Sequence, residues 1–313
     1  MAGLVPAIHA LVRKARRPTM LWAVFTLIAA AAQTARNAMQ RELTATLGTV
    51  GATHVRFLFG FPFALLFLAG VLTMTGSGLP DTQPMFWPWV LAGAFTQIAA
   101  TATMLSVMGQ RSFVVAYAYI KTEPVHVALF GLIFLGDRVT LLSAVAIFIA
   151  TAGVIVISLK ADASKDRSTR STIVGLFSGA LFGLSAIGYR GAILSLHLPD
   201  FVVAATFTVT VGLLIQAAVL SAYLAIRDAQ VLRAIMKAWK PSLLAGFMGA
   251  FASEFWFLAF AITSAANVRT LALVEVLFAQ GVTHFVFKQP TTMRESIGIV
   301  MVVIGVALLV WAY

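Results

Sequence analysis

Charged side chains occur inside apolar segments of this sequence, where contact with lipid would be costly. The segment 118–140, AYIKTEPVHVALFGLIFLGDRVT, contains Lys121, Glu123 and His126, and Pro124 directly follows the glutamate. A charge at the centre of a bilayer costs about 2.5 to 3.5 kcal/mol on insertion scales. Ammonium, carboxylate and imidazole groups bind polar solutes and exchange protons. This pattern predicts that the residues line a polar path instead of facing lipid.

Spacing assigns these side chains to faces of a predicted helix. Tyr119, Glu123 and His126 stand at i, i+4 and i+7, so they share one face, whereas Lys121 lies on a different face. Pro124 removes one intrahelical hydrogen bond and tends to kink a helix. The sequence therefore predicts a single spanning helix that is bent beside a polar path.

Other apolar segments contain further ionisable or aromatic side chains. The candidate pathway residues are Arg36, Arg56, Tyr117, Tyr119, Lys121, Glu123, His126, Arg190, Glu254, Trp256, Arg269 and Glu275. Basic residues outnumber acidic ones in this set, so a shared cavity favours a ligand with a carboxylate or another anionic group. We expect Arg36, Lys121 and Arg269 to attract that group. The aromatic members are candidates for stacking on the ligand.

Each candidate also has a structural interpretation. Buried Arg and Glu residues can be ion pairs that hold helices in register, and this applies to Arg56, Arg190 and Glu254 in particular. His126 can equally be a hydrogen-bonded packing residue. In the first apolar segment, Gln33 belongs to a polar stripe with Arg36, Asn37 and Gln40, which would serve no purpose against lipid.

The composition is that of a polytopic membrane protein, because 60% of the 313 residues are hydrophobic and only 11% are charged. A bilayer core needs about 20 residues of helix. Apolar runs of this size predict an all-α integral membrane fold with ten transmembrane helices, near 20–40, 50–72, 86–109, 112–135, 139–159, 172–194, 200–225, 242–264, 267–287 and 295–313.

The two halves of the sequence resemble each other. A shift of 152 positions aligns Glu123 with Glu275 and Gly153 with Gly305. Five spans in each half require the second copy to be inserted in the opposite orientation, as in inverted-repeat transporters. We expect an N-terminal leader at 1–19, a first five-helix repeat at 20–160, a linker at 161–171 and a second five-helix repeat at 172–313. The equivalent positions of Glu123 and Glu275 favour a pathway or coupling role for both.

Local patterns predict particular contacts. Gly175, Gly179 and Gly183 lie four residues apart in the sixth span and would let a neighbouring backbone approach closely. Thr292 and Glu295 have the spacing of a capping box at the start of the last span. The segment 227–240 is the longest connection and has room for one small interfacial helix at most.

The segment 122–157, TEPVHVALFGLIFLGDRVTLLSAVAIFIATAGVIVI, resembles the EamA-type proteins of the drug/metabolite transporter superfamily, which have ten helices. The likeness rests on Glu-Pro, an apolar stretch, a Leu-Gly-acid turn and a glycine-bearing helix. Asp137 replaces the usual glutamate of that turn. The second copy, VEVLFAQGVTHFVFKQPTT at 274–292, lacks both the proline after its glutamate and the turn.

The resemblance implies a transporter of the cytoplasmic (inner) membrane, commonly an exporter of amino acids, other metabolites or toxic compounds, that works by alternating access. The expected partners are a small-molecule substrate, membrane lipids and coupling protons, with Glu123, Glu275 and His126 binding an amino group or carrying the proton. The net charge of +11 falls mainly in short loops, which points to lipid headgroups and not to nucleic acid. The protein is expected to be a monomer or a homodimer.

Other functions are weighed against this one. A flippase for a phosphate-bearing lipid carrier and a multidrug exporter remain alternatives. An enzyme is not expected, because the sequence lacks cysteine, His-Glu-x-x-His and a phosphate-binding loop, and no cofactor is expected. The orientation of the termini is ambiguous: loop Lys and Arg favour both termini outside, whereas the basic cluster before the first span and the family pattern favour both inside.

Overall fold

The protein is helical throughout the part described by the computed structural model, which comprises residues 20–108, 118–158, 169–278, 280 and 292–313, and no β-strand occurs in these ranges. The helices are α1 Leu21–Leu58, α2 Phe61–Thr75, α3 Phe86–Met108, α4 Glu123–Phe130, α5 Leu141–Ser158, α6 Thr169–Ser195, α7 Phe201–Arg227, α8 Ala229–Lys237, α9 Trp239–Ile262, α10 Ala265–Leu271 and α11 Met293–Ala312. A π-helix, Gly131–Leu135, continues α4, and a 3-10 helix, Ala272–Val274, continues α10.

Eight helical segments in the described ranges are long and apolar enough to cross a bilayer. The predicted spans near 112–135 and 267–287 extend into residues outside these ranges, so the number ten stays a prediction. The loop expected between the first two spans is helical, because α1 runs from Leu21 to Leu58 and bends at Gly48. Gly48 has φ 68°, a conformation that glycine adopts readily and other residues avoid.

The helix predicted over 112–135 is interrupted and not merely kinked. Lys121 and Thr122 form a turn, and a new helix begins at Glu123 with Pro124 in its first turn. Proline is well accommodated there, because the first amide groups of a helix have no intrahelical partner. A second interruption, the 3-10 helix Ala272–Val274, directly precedes Glu275.

Glycines allow the closest approaches between helices. A Cβ atom added at Gly179 on α6 would lie 3.0 Å from the carbonyl oxygen of Ile120, and one at Gly183 would lie 3.1 Å from the Cβ of His126. The predicted close packing is thereby confirmed at these two positions. It places the interrupted backbone at residues 120–122 directly against α6.

Helices α5 and α11 pack together through two equivalent glycine contacts. A Cβ at Gly153 would lie 2.8 Å from the carbonyl oxygen of Gly298, and one at Gly305 would lie 2.8 Å from the carbonyl oxygen of Ala146. Under a shift of 152 positions, these two contacts are counterparts of each other. The most extensive other interfaces join α1 to α9 and α3 to α6.

Helix ends follow the predicted local signals. Thr292 and Glu295 form the expected capping box at α11, in which the Thr292 amide donates to Glu295 Oε2 at 2.8 Å and the Glu295 amide donates to Thr292 Oγ1 at 3.3 Å. The predicted interfacial helix is α8, which Asp228 caps by accepting from the amide of Val231. These signals set the ends of the spans.

Candidate functional site

Two ion pairs lie side by side where the interrupted helices meet. Lys121 Nζ forms an ion pair with Glu275, and Arg269 Nε lies 3.0 Å from Glu123 Oε1. All four side chains are largely buried. The cavity between them is small, about 20 Å³, and is lined by Gln33, Lys121, Glu123, Pro124, Arg269, Ala272, Leu273 and Glu275.

Each ion pair joins the first half of the chain to the second. The turn at residues 121 and 122 explains how one half contributes both charges, because side chains two positions apart on an unbroken helix would point in nearly opposite directions. The prediction that Lys121 and Glu123 lie on different faces is therefore wrong, since both line the same cavity. The interruption of the helix is the physical reason.

Gln33 and Trp256 connect the two ion pairs. The indole Nε1 of Trp256 donates to Gln33 Oε1 at 3.2 Å, and Gln33 Nε2 donates to Glu275 Oε2 at 3.5 Å. The guanidinium of Arg269 lies 4.6 Å from the ring centroid of Trp256 and 5.5 Å from that of Phe260, within the range of cation–π attraction. Trp256 and Phe260 thus contact the cavity-lining residues Gln33 and Arg269 from behind the cavity lining.

The first half of the chain is similar to a known family. Residues 20–159 match the model of the EamA-like transporter family. This segment of the chain is therefore similar to that family. The family is part of the drug/metabolite transporter superfamily, and the match indicates a multi-pass membrane transporter of this type.

One solved structure, described as "Crystal structure of protein", has the same fold. It superposes with a TM-score of 0.68 at 13% sequence identity, covering 94% of this chain and 96% of the other. No curated protein matches the sequence. The family match favours a transporter. In the described ranges, no three His, Asp or Glu side chains are grouped so that they could hold a metal ion.

A second basic region of the protein lies between α1 and α9. A Cβ at Gly249 would lie 3.2 Å from Arg56 Cγ and 3.5 Å from Arg36 Cδ, so both arginines pack against the same glycine. Each is 4% exposed. Arg36 donates to Asn37 Oδ1 at 2.7 Å, and the Arg56 guanidinium lies 5.2 Å from the ring centroid of Phe57. Among the described residues, Arg56 has no carboxylate within ion-pair distance.

Arg190 lies outside the central cavity. Its Nη1 lies 2.7 Å and 3.0 Å from the two carboxylate oxygens of Asp137, and its Nε donates to the carbonyl oxygen of Thr263 at 2.9 Å. This contact ties the turn after the π-helix to the connection between α9 and α10. For Arg190 the geometry agrees with the structural interpretation of a buried ion pair.

The remaining predicted residues are dispersed. The imidazole Nδ1 of His126 lies 3.1 Å from the carbonyl oxygen of Thr122, and its ring is near Phe130, outside the cavity lining. Tyr119 contributes its carbonyl oxygen to the turn by accepting from the Thr122 hydroxyl at 2.6 Å. Tyr117 lies outside the described residues.

Glu254 occupies a separate buried site on α9. Its Oε1 lies 2.5 Å from the hydroxyl oxygen of Thr206 on α7. Sequence reasoning placed Glu254 with the other charges and omitted Gln33 from the candidates. Membership of Gln33 in the polar stripe of the first span was the signal that could have identified it.

Proposed function

We propose that this protein is a secondary active transporter that exports a small zwitterionic or anionic, amino-acid-like metabolite across the cytoplasmic membrane by alternating access. The observation that carries the proposal is the pair of ion pairs formed between the two halves around one cavity. Charges this far inside a membrane protein are expensive, and they mark substrate or ion pathways when they converge.

The charge balance of the cavity matches a zwitterion. Lys121 and Arg269 supply two positive charges, and Glu123 and Glu275 supply two negative ones. A ligand with an ammonium and a carboxylate group can replace the internal partners without changing the net charge of the site. The carboxylates then bind the ammonium group, while Lys121 and Arg269 bind the carboxylate, with Arg favouring a bidentate contact.

The second basic region supports an additional preference for acidic groups. Arg56 and Arg36 are buried against Gly249, and Arg56 has no carboxylate partner in the described part of the chain. A ligand with a second acidic group would compensate the charge of Arg56. Such a contact would explain a preference for anionic over purely cationic solutes.

Alternating access requires two halves that move against each other, and we propose that these are inverted five-helix repeats. Three features support this arrangement: the equivalent contacts at Gly153 and Gly305, the equivalent positions of Glu123 and Glu275, and helix interruptions directly before both glutamates. Discontinuous helices at a repeat interface are typical of secondary transporters. Ion pairs between the halves would break and reform as the cavity opens on either side.

The first test is a ligand screen of the purified protein by thermal shift, because a ligand that binds only the native state raises the melting temperature. Amino acids, organic acids, phosphorylated metabolites and cationic drugs would be compared. We expect stabilisation by a zwitterionic or anionic metabolite. Stabilisation by cationic drugs alone would favour the multidrug alternative, and stabilisation by lipid phosphates alone would favour the flippase alternative.

The second test is transport of the selected compound by proteoliposomes. We expect wild-type protein to exchange it across the bilayer and Glu275→Gln to lose most of this activity, because the ion pair between Lys121 and residue 275 that the ligand would replace is lost. Asp81→Asn, which removes an exposed carboxylate in the connection between α2 and α3, is the matched control and should retain wild-type rates. Equal rates in wild type and Glu275→Gln would refute the proposed binding site.

A further inference from the structure

Glu254 differs from the other acidic residues buried in this transporter. Glu123, Glu275 and Asp137 each have a basic partner, whereas no cation lies within ion-pair distance of Glu254 among the described residues. Glu254 is only 8% exposed. An isolated ionised carboxylate is strongly disfavoured in such an environment, and the neutral form is adopted instead.

The hydrogen bonds around Glu254 also favour its neutral, protonated form. The Thr206 hydroxyl oxygen lies 2.8 Å from the carbonyl oxygen of Val202 and 2.5 Å from Glu254 Oε1. A hydroxyl group has one proton and can donate only once. If Glu254 is protonated, it donates to Thr206, and Thr206 donates to Val202, so both contacts are satisfied. If Glu254 is ionised, the Thr206 hydroxyl can donate either to the Val202 carbonyl oxygen or to Glu254 Oε1, and the other contact has no hydrogen bond.

The second carboxyl oxygen of Glu254 independently supports the protonated form. Glu254 Oε2 is buried and has no hydrogen-bond partner in the described part of the chain. Ionised carboxylates normally accept several hydrogen bonds, so an unpartnered buried oxygen fits a neutral carboxyl group better than a charged one. Phe255 on this part of α9 contacts the ring of Phe25, which has no hydrogen-bond donor, and the hydroxyl of Tyr189 beside Phe257 donates to Gln97 Oε1 at 3.2 Å.

No neighbouring helix supplies a compensating charge. Helix α9 packs against α1, α2, α6, α7, α8 and α10. The described ionisable side chains on these helices are His54, Arg36 and Arg56 on α1, Arg170, Tyr189 and Arg190 on α6, Tyr223 and Arg227 on α7, Arg233 and Lys237 on α8, and Arg269 on α10; α2 has none. Arg269 and Tyr189 contact the aromatic residues Trp256 and Phe257, and Arg36 and Arg56 pack at Gly249.

We propose that Glu254 is a proton-binding site, and that its carboxyl group is protonated while the contact between α7 and α9 is closed. Opening of this contact admits water, which solvates the carboxylate and accepts the proton. This inference rests on the proposed transport function for its physiological role, because it identifies Glu254 as the proton carrier. Glu123 and Glu275, which already have basic partners, then bind the substrate.

Infrared spectroscopy of the full-length protein in proteoliposomes tests the protonation state without any substrate. We expect wild type at neutral pH to show a C=O stretching band of a protonated carboxyl group, which Glu254→Gln removes and Glu123→Gln retains. Thr206→Val should shift the band, because the hydrogen-bond acceptor is lost. Since Gln resembles a protonated Glu, Glu254→Gln should also keep the wild-type melting temperature.

Two outcomes of this measurement would overturn the inference. One is a spectrum of Glu254→Gln that retains the full band of wild type. The other is loss of the band in Glu123→Gln instead, which would move the bound proton to the central cavity. The first outcome leaves the proposed transport function unchanged, because that function depends on the charges of the cavity. The second outcome would also alter the charge balance of the cavity, and the transport assay then decides the function separately.

The transport assay tests the role of the proton with the compound selected by the ligand screen. We expect a pH gradient to drive accumulation several-fold in wild type, and Glu254→Gln to lose this response while it continues to exchange substrate. Gradient-driven accumulation in Glu254→Gln would overturn the coupling role. Failure of wild type to move any screened compound would instead count against the proposed function, and the infrared result would still decide the proton site.

Discussion

Removal of the Glu123 carboxylate tests the energetic importance of the central ion pairs. In Glu123→Gln, the guanidinium of Arg269 would stay buried, at 9% exposure, without its carboxylate. Loss of one partner of a buried ion pair typically costs about 3 to 5 kcal/mol. Arg269 keeps its contacts with Trp256 and Phe260, and such cation–π contacts contribute about 0.5 to 2 kcal/mol. We therefore expect Glu123→Gln to lower the free energy of unfolding by about 3 kcal/mol, near the lower limit of this range.

A double-mutant cycle separates this interaction from other effects of the substitution. In the variant Glu123→Gln with Arg269→Met, the uncompensated charge is removed and an apolar side chain covers Trp256. We expect the double variant to recover a large part of the lost stability, with a coupling energy of about 1 to 3 kcal/mol. The free energy of unfolding would be measured in mixed micelles by denaturant titration.

The exposed control Asp81→Asn should change the free energy of unfolding by less than about 0.5 kcal/mol. If Glu123→Gln is as stable as this control and the cycle yields no coupling energy, then Arg269 and Glu123 do not form a buried pair. The reasoning about the cavity would be refuted with it.

Two further predictions concern packing and the peripheral ion pair. Gly153→Ala should lower the free energy of unfolding by about 1 to 3 kcal/mol, because its Cβ would lie 2.8 Å from the Gly298 carbonyl oxygen. Gly70→Ala has no atom within 4 Å of its Cβ and should leave the denaturant midpoint unchanged. Arg190→Gln should lower the free energy of unfolding by about 1.5 to 3 kcal/mol. A second substitution, Asp137→Asn, should restore part of this loss. Equal stability of wild type and both variants would contradict the ion pair between Arg190 and Asp137.

The sequence predicts the fold class well, because hydropathy and span length depend on local composition. The limits of predictability appear at helix interruptions. Helix α1 continues through residues 41–47, where a loop is expected, and only the backbone at Gly48 reveals where it bends. At Lys121, a regular helical spacing gave the wrong face, because the chain forms a turn there that periodicity alone cannot detect.

The residues of the candidate site can be predicted from the sequence, but their pairing cannot. Charged residues inside spans can be identified from the sequence, and Lys121, Glu123, Arg269 and Glu275 do meet at one cavity. Which charges pair with each other depends on helix packing, so the sequence could not distinguish Arg190, with its peripheral partner, from these four. The isolation of Glu254 is likewise a tertiary property, determined by what the neighbouring helices lack.

Thiol labelling tests most directly whether the cavity is a solute path reached by water. The chain has no cysteine, so single cysteines can be introduced without background. Ala272 lines the cavity, whereas Leu66 on α2 is 65% exposed in a segment that spans the membrane. A charged, membrane-impermeant reagent reacts with the thiolate, which forms only in contact with water. We predict labelling of Ala272→Cys that the bound substrate slows, and no labelling of Leu66→Cys. Absence of labelling at Ala272→Cys, in protein that still exchanges substrate, would contradict the account.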